Sequence, residues 1–274
     1  MTISIERPLV LVGAGKMGSA LLSGWLQGGL SPSLVHVREP QATDEIRALE
    51  AKGLKLNAPV AEIAAAQPAL VLIAVKPQAM GAVLPELQPL VRLETVFLSI
   101  AAGTGLQRLE ELLGADVAAI RAMPNTPAAV GRGITVAHAN RYVTAEQRAL
   151  ADGLLAAVGE VGWVESEGLI DAVTAISGSG PAYVFYLVEC LAAAGEGLGL
   201  DPALAMKLAR ETVSGSGEML HRLPEPASEL RANVTSPGGT TAAALDVLMG
   251  EGGLSPLMRR AATAARDRAR ELGK

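Results

Sequence analysis

The chain is poor in the residues from which many functional sites are built. Its single cysteine, Cys190, excludes an internal disulfide framework and fits a reducing compartment. Its three histidines, His36, His138 and His221, are scattered, so the sequence holds no zinc-type ligand set and no metal is expected. Aromatic residues make up 3% although 50% of the chain is hydrophobic. The core must therefore be built from Ala, Leu, Val and Ile. The net charge of −5 comes without a block of like charges, which argues against nucleic acid or an anionic membrane as partner. No Ser-His-Asp, Cys-His or paired-carboxylate set stands out, which argues against a hydrolase. The longest apolar stretch, 181–200, contains Glu189 and Glu196, which would be costly inside a bilayer. It reads as a helix buried between protein surfaces, with Cys190 as a packing residue. Residues 1–8 lack the basic-then-apolar layout of a secretory leader, so the expected location is the cytoplasm.

What the chain does have is a glycine pattern, Gly13-Ala14-Gly15-Lys16-Met17-Gly18. The apolar run 9–12 leads into it and a helix-like stretch from Ser19 follows. Strand, glycine turn and helix form the context in which G-x-G-x-x-G binds a dinucleotide. Gly13 permits a tight turn, Gly15 lets the backbone approach a pyrophosphate, and Gly18 lets helix and strand pack closely. The helix start then offers N–H groups and a positive dipole end to the phosphates. A bare glycine triplet would equally serve a plain strand-to-helix turn; the flanking elements favour the cofactor site.

The first 165 residues alternate strand signals (8–12, 34–39, 69–75, 95–100, 117–122, 133–137 and 161–165) with helical patterns (18–28, 43–52, 59–66, 78–91, 104–113 and 144–158). The strands are mostly continuous apolar runs, as expected of parallel strands covered on both faces. The expected fold is an α/β, Rossmann-type doubly wound sheet over 1–165. From 166 to 274 no strand is found. Ala- and Leu-rich helices are expected at 168–177, 181–199, 202–221, 225–233, 240–249 and 254–272. Gly195, Gly197 and Gly199 make sense there if another helix packs closely. So much apolar helix cannot cover itself, and an all-helical domain that dimerises with its own copy follows.

Residues at the carboxyl ends of the strands face the ligand in such a sheet. Ala74-Val75-Lys76-Pro77, Ala101-Ala102-Gly103 and Met123-Pro124-Asn125-Thr126-Pro127 fall there. The small middle segment suits a flat ring or sugar on backbone. Lys76 is either a base or an electrostatic holder of loop or cofactor. The prolines of the third stiffen a loop, with or without a cis bond. At the end of the second strand stand both Arg38, which would favour a 2′-phosphate, and Glu39, which would accept from a 2′-hydroxyl. Strand register decides between them. The segment Thr235-Ser236-Pro237-Gly238-Gly239-Thr240-Thr241 opens a helix. A plain N-cap needs one hydroxyl and no Gly-Gly, so the excess favours a ligand carboxylate held by backbone N–H groups.

Together, VGAGKMG (12–18), AVKP (74–77), AAG (101–103), MPNTPA (123–128), LIDAVTAISGSGPAYVF (169–185) and TSPGGTTAAAL (235–245) resemble the pyrroline-5-carboxylate reductases over nearly the whole chain. The resemblance implies NADPH- or NADH-dependent reduction of the cyclic imine 1-pyrroline-5-carboxylate to L-proline. It implies cofactor contacts at Gly13, Ala14, Gly15, Lys16, Met17, Gly18, Arg38, Asn57, Ala74, Val75, Lys76, Pro77, Ala101, Ala102 and Gly103. Ser236, Gly238, Gly239 and Thr240 would bind the substrate carboxylate, and the Thr241 hydroxyl would meet the ring nitrogen as the catalytic group. It further implies a helix-exchanged homodimer, often assembled into rings. Two rivals are a β-hydroxyacid or 6-phosphogluconate-type dehydrogenase and a non-catalytic cofactor sensor. The first needs a lysine base in the helical domain, where Lys207 is the only lysine between residues 168 and 273. The second has no use for a second ligand site.

Overall fold

The computed structural model describes residues 5–273, so part of the 1–8 stretch lies outside the described residues. The strands are β1 (Leu9–Val12), β2 (Val35–Arg38), β3 (Lys55–Leu56), β4 (Leu70–Ile73), β5 (Val96–Ser99), β6 (Ala119–Met123), β7 (Gly133–Ala139) and β8 (Gly159–Trp163). They form one sheet in the order β3-β2-β1-β4-β5-β6-β7-β8. The first unit also carries helices α1 (Lys16–Gln27), α2 (Asp44–Ala48), α3 (Val60–Ala65), α4 (Met80–Val83), α5 (Leu106–Leu113), α6 (Ala145–Leu155) and α7 (Leu169–Val173). Strand order reverses between β1 and β4, where a doubly wound sheet opens a crevice at its carboxyl ends.

Why these runs become strands is visible in their burial. Every residue of β1, β4 and β5 is buried, because helices cover both faces of the sheet. On one face Leu9, Leu11, Leu70, Leu72 and Leu98 pack with Leu21, Leu22 and Trp25 of α1. On the other, Val10, Val71, Ile73 and Phe97 pack with Ile63 of α3 and Leu109 and Leu113 of α5. Each such side chain contributes about 1.5–3 kcal/mol of burial. The fully buried Trp25 keeps its indole N–H satisfied by donating to the Leu154 carbonyl at 2.8 Å.

Three local features differ from the sequence expectation. β3 is two residues long and has no apolar run to announce it. β7 runs antiparallel to β6, while every other neighbouring pair is parallel. The connection from β6 to β7 is shorter than the dozen or so residues a parallel crossover takes. The stretch expected as one helix over 78–91 divides into a 3-10 turn (Pro77–Ala79), α4 and a second 3-10 segment (Leu84–Leu90). Pro85 and Pro89 supply no backbone N–H there, so an α-helix cannot continue. No peptide bond among the described residues is cis, those of Met123–Pro127 included.

Contacts along the chain divide it after Gly178, where a π-turn (Thr174–Gly178) follows α7. The second unit, Ser179–Ala265, is entirely helical, with α8 (Gly180–Gly197), α9 (Pro202–Arg222), α10 (Ala227–Asn233), α11 (Thr240–Leu248) and most of α12 (Leu254–Leu272). Residues from Arg266 onward group with the first unit. The start of α9 is set by Pro202 and by Asp201, whose Oδ1 accepts from the N–H groups of Ala203 and Leu204 at 3.0 and 3.2 Å.

A Cβ on Gly195 would come within 3.1 Å of the Ala205 Cβ, so close helix packing explains that glycine. It does not explain Gly197 or Gly199, where an added Cβ would meet nothing within 4 Å; Gly199, with φ +94°, ends α8 in a left-handed turn. Val184, Phe185, Tyr186 and Leu187 of α8 and Val247 and Leu248 of α11 are exposed in the single chain. Cys190 is exposed as well, so nothing in its own chain makes it a packing residue. Among the described residues no helix is long and apolar enough to cross a membrane, and no His, Cys, Asp and Glu side chains gather as a metal site.

Candidate active site

The glycine turn lies at the carboxyl end of β1, beside the point where strand order reverses. Gly13 has φ +90°, and a Cβ there would stand 2.8 Å from the Ala74 carbonyl oxygen. Its N–H donates to the Arg38 carbonyl at 2.9 Å, which ties the turn to β2. A Cβ on Gly18 would come within 2.3 Å of the Gly13 carbonyl oxygen. A Cβ on Gly15, by contrast, would meet nothing within 4 Å. Two of the three glycines are thus required by the protein's own packing, and the third leaves open backbone. Gly15 is the N-cap of α1, no side chain caps that end, and its first turn contains no acidic residue. The resulting end, with unpaired N–H groups and the positive end of a helix dipole, is suited to a pyrophosphate.

A cleft of about 580 Å³ opens here. Of the sequence-derived positions it gathers Gly13, Gly15, Arg38, Glu39, Asn57, Ala74, Val75 and Lys76, and it adds Val12, Pro40, Ala79, Val83 and Glu86. Lys76 is exposed; its carbonyl accepts from the Ala79 N–H at 2.9 Å, while its ammonium has no ion-pair partner among the described residues. Ala14 turns its N–H to Glu39 Oε2 at 2.9 Å. Gly18 is buried behind the turn and Met17 packs against the core. Lys16 lines a separate groove with Ser19, Ser23 and Gln27.

The end of β2 is the most tightly organised part of the cleft. Glu39 Oε1 accepts from the Gln41 N–H at 2.9 Å. The Asn57 amide brackets the Glu39 backbone, accepting from its N–H at 2.9 Å and donating to its carbonyl at 3.0 Å. Asn57 itself sits at φ +50° after β3. Arg38 points to Glu86, with Nη2 2.8 Å from Oε2. Sequence reasoning singled out Arg38, Glu39 and Asn57. It had no access to Glu86, nor to the bond between Glu39 and Ala14, because both lie in the register and in a distant segment.

The segment after β5 stands beside a second cavity, of about 760 Å³, lined by Pro77, Gly103, Thr104, Arg121, Glu167 and Leu272 among others. Ala101 is buried and donates its N–H to Ser99 Oγ at 3.3 Å, whereas Ala102 is exposed. Gly103 has φ +73°, and a Cβ there would meet the Leu272 carbonyl oxygen at 3.2 Å. Arg121, 8% exposed, reaches Glu167 and Asp171, each at 3.2 Å. Glu167 Oε1 also accepts from the Leu106 N–H at 2.8 Å, at the start of α5. This ionic cluster was missed because its members lie far apart in sequence.

In the second unit, Gly239 is the N-cap of α11, and neither Thr240 nor Thr241 caps it. The common structural use of those hydroxyls is therefore absent. Gly238 has φ +68°, and the Gly239 N–H donates to the Ser236 carbonyl at 3.0 Å, closing a tight turn. A Cβ on Gly239 would collide with Ser236 Oγ at 2.5 Å. The first turn of α11 contains no acidic residue. Ser236 and Thr240 are exposed and Thr241 is half-buried. The arrangement is an uncapped helix end with hydroxyls beside it, suited to an anion.

Comparison with known proteins agrees with both units. A family model described as pyrroline-5-carboxylate reductase dimerisation matches residues 167–272, and one described as NADP oxidoreductase coenzyme F420-dependent matches 8–103. The pyrroline-5-carboxylate reductase of Pseudomonas aeruginosa is 40% identical over 96% of this chain and 96% of its own length. That of Corynebacterium melassecola is 40% identical over 97% and 98%. The solved Coxiella burnetii enzyme superposes with a TM-score of 0.90 at 36% identity, covering 98% of this chain and 99% of that one. The Plasmodium falciparum pyrroline carboxylate reductase, solved with NADP bound, gives 0.80 at 29% identity over 98% and 99%. A sheet with this strand order, a glycine turn at its switch point and a helical unit with an uncovered apolar face, in a chain related from end to end to these enzymes, belong to a member of the pyrroline-5-carboxylate reductase family.

Proposed function

We propose that the chain reduces 1-pyrroline-5-carboxylate to L-proline with NAD(P)H, the last step of proline synthesis. The observation that carries the reading is the uncapped start of α11 behind Ser236-Pro237-Gly238-Gly239, in a chain whose other unit holds a cleft fitted to a dinucleotide. The substrate has one carboxylate and one C=N bond, and each needs its own grip.

The open backbone at Gly15 and the start of α1 hold the pyrophosphate. Ala74–Pro77 and Ala101–Gly103 present backbone and small side chains to the rest of the nucleotide. The bound nicotinamide supplies the hydride. Ser236, the N–H groups of Gly238, Gly239 and Thr240, and the α11 dipole hold the carboxylate. The Thr241 hydroxyl, free of capping duty, hydrogen-bonds the ring nitrogen and keeps the imine protonated, which makes the imine carbon more electrophilic. Positioning does most of the remaining work.

The dimerisation unit explains the exposed apolar side chains of α8 and α11, Phe185 and Val247 among them, as the face between two copies of the chain. Assembly of such dimers into a larger ring and a cytoplasmic location complete the proposal. The test is nicotinamide absorbance at 340 nm (a property of the nucleotide) followed with and without pyrroline-5-carboxylate. Substrate-dependent oxidation with stoichiometric proline supports the reading, and nucleotide binding without turnover refutes it.

A further inference from the structure

We propose that Glu39 makes this cleft select NADH over NADPH, and that Glu86 reinforces the choice by engaging Arg38. The proposal rests on the reading of the cleft as a dinucleotide site. The sequence places an acid and a base side by side at the end of β2, and the structure separates their roles. Glu39 is the one turned to the glycine turn, with Oε2 on the Ala14 N–H and Oε1 on the Gln41 N–H, each at 2.9 Å. Its backbone is fixed on both sides by the Asn57 amide.

A carboxylate offers about four acceptor positions, and two N–H donors occupy two of them. The remainder can accept from the two hydroxyls of an unmodified ribose. A 2′-phosphate has no such donors to give at neutral pH and brings up to two negative charges toward Glu39. The residue that could offset them, Arg38, is paired with Glu86 at 2.8 Å. The end of the cleft thus sets two carboxylates against one guanidinium. A phosphate would have to displace Glu86 from Arg38 and still face Glu39. The Plasmodium relative was solved with NADP bound, so the inferred preference concerns this chain's own residues rather than the family.

The experiment titrates the full-length protein with NADH and with NADPH, following nucleotide fluorescence, and compares kcat/KM for the two with pyrroline-5-carboxylate. Wild type is expected to favour NADH by about tenfold or more, the order of a single charge–charge attraction or repulsion at a binding surface. Glu39→Gln should move the ratio toward NADPH by about tenfold, and Glu86→Gln should move it the same way by less. Both nucleotides are measured on one sample, so a partly misfolded variant cancels in the ratio. Should Glu39→Gln fail to fold, wild type and Glu86→Gln decide. Tighter NADPH than NADH binding by wild type, or a ratio untouched by Glu39→Gln, overturns the proposal. A protein that binds neither nucleotide overturns the reading of the cleft and the proposal with it. NADH preference without turnover upholds the proposal and removes the assigned reaction.

Discussion

The three glycines of the turn should separate into two kinds when each is given a methyl group. At Gly18 the added Cβ would stand 2.3 Å from the Gly13 carbonyl oxygen, a backbone atom that moves only if the turn moves. Overpacking of this sort costs about 1–3 kcal/mol, and the better helix propensity of alanine offsets about 0.5–1 of it. A net loss of about 2 kcal/mol, near the upper end because the clash is with backbone, lowers Tm by about 4–8 °C in a protein of this size. At Gly15 the methyl meets nothing within 4 Å, and φ −66° with ψ −170° is a conformation alanine adopts.

The lower unfolded-state entropy of alanine roughly balances its poorer N-cap preference, so Tm should move by less than about 2 °C. In the proposed binding mode the same methyl stands where the pyrophosphate approaches the N–H groups. Losing one or two charge-assisted hydrogen bonds, at about 1.5–3 kcal/mol each, should weaken nucleotide binding by about ten- to a hundredfold. Thermal scans of ligand-free protein at one concentration, paired with nucleotide titration, read both effects. A Gly15→Ala variant that binds as wild type, or that loses as much Tm as Gly18→Ala, would refute the division of roles.

Other outcomes follow from the same geometry. Thr241→Ala should lower kcat by roughly 10²-fold with nucleotide affinity unchanged, and wild-type turnover would remove Thr241 from the mechanism. Arg121→Met leaves Glu167 without its cation and Asp171 with only Arg270, 3.9 Å away; urea unfolding should show a loss of about 2–4 kcal/mol, and a change below about 1 would show that these ion pairs hold little of the fold's stability. His36 is 3% exposed and its Nδ1 has no partner among the described residues. Burial, helped by Lys55 and opposed by Glu62, holds its pKa below the ordinary 6.5. The unfolded chain therefore takes up the proton first, and stability present above about pH 6.5 is lost as pH falls below it. Tm measured from pH 7.5 to 5.5 should fall less in His36→Leu than in wild type; equal slopes would exclude His36 as a source.

What could be read without the structure was what a short stretch of chain decides for itself. β1, β4 and β5 are legible because strands covered on both faces must be apolar throughout. The glycine turn and the start of α11 are legible because their residue types serve a backbone geometry. β3 is not, since two residues carry no pattern, and Pro85 and Pro89 mattered more to 84–90 than its apolar spacing did. At the site, Arg38 and Glu39 were both in view, but a strand buried on both faces shows no alternation to say which side chain turns to the ligand. That depends on β2 lying beside β1 in a fixed register, with Asn57 arriving from β3 and Glu86 from a segment far along the chain. The Arg121 cluster is likewise a product of topology, joining β6 to residues around α7.

The last residues of α12 group with the first unit, and Leu272 stands against Gly103 while Arg270 Nε lies 3.9 Å from Asp171. The helical segment is therefore an insertion, attached to its host by two covalent tethers instead of one. Trimming a handful of residues near position 270 would reach the loop after β5, well over a hundred positions away along the polypeptide. A purification tag fused there would sit against that loop too.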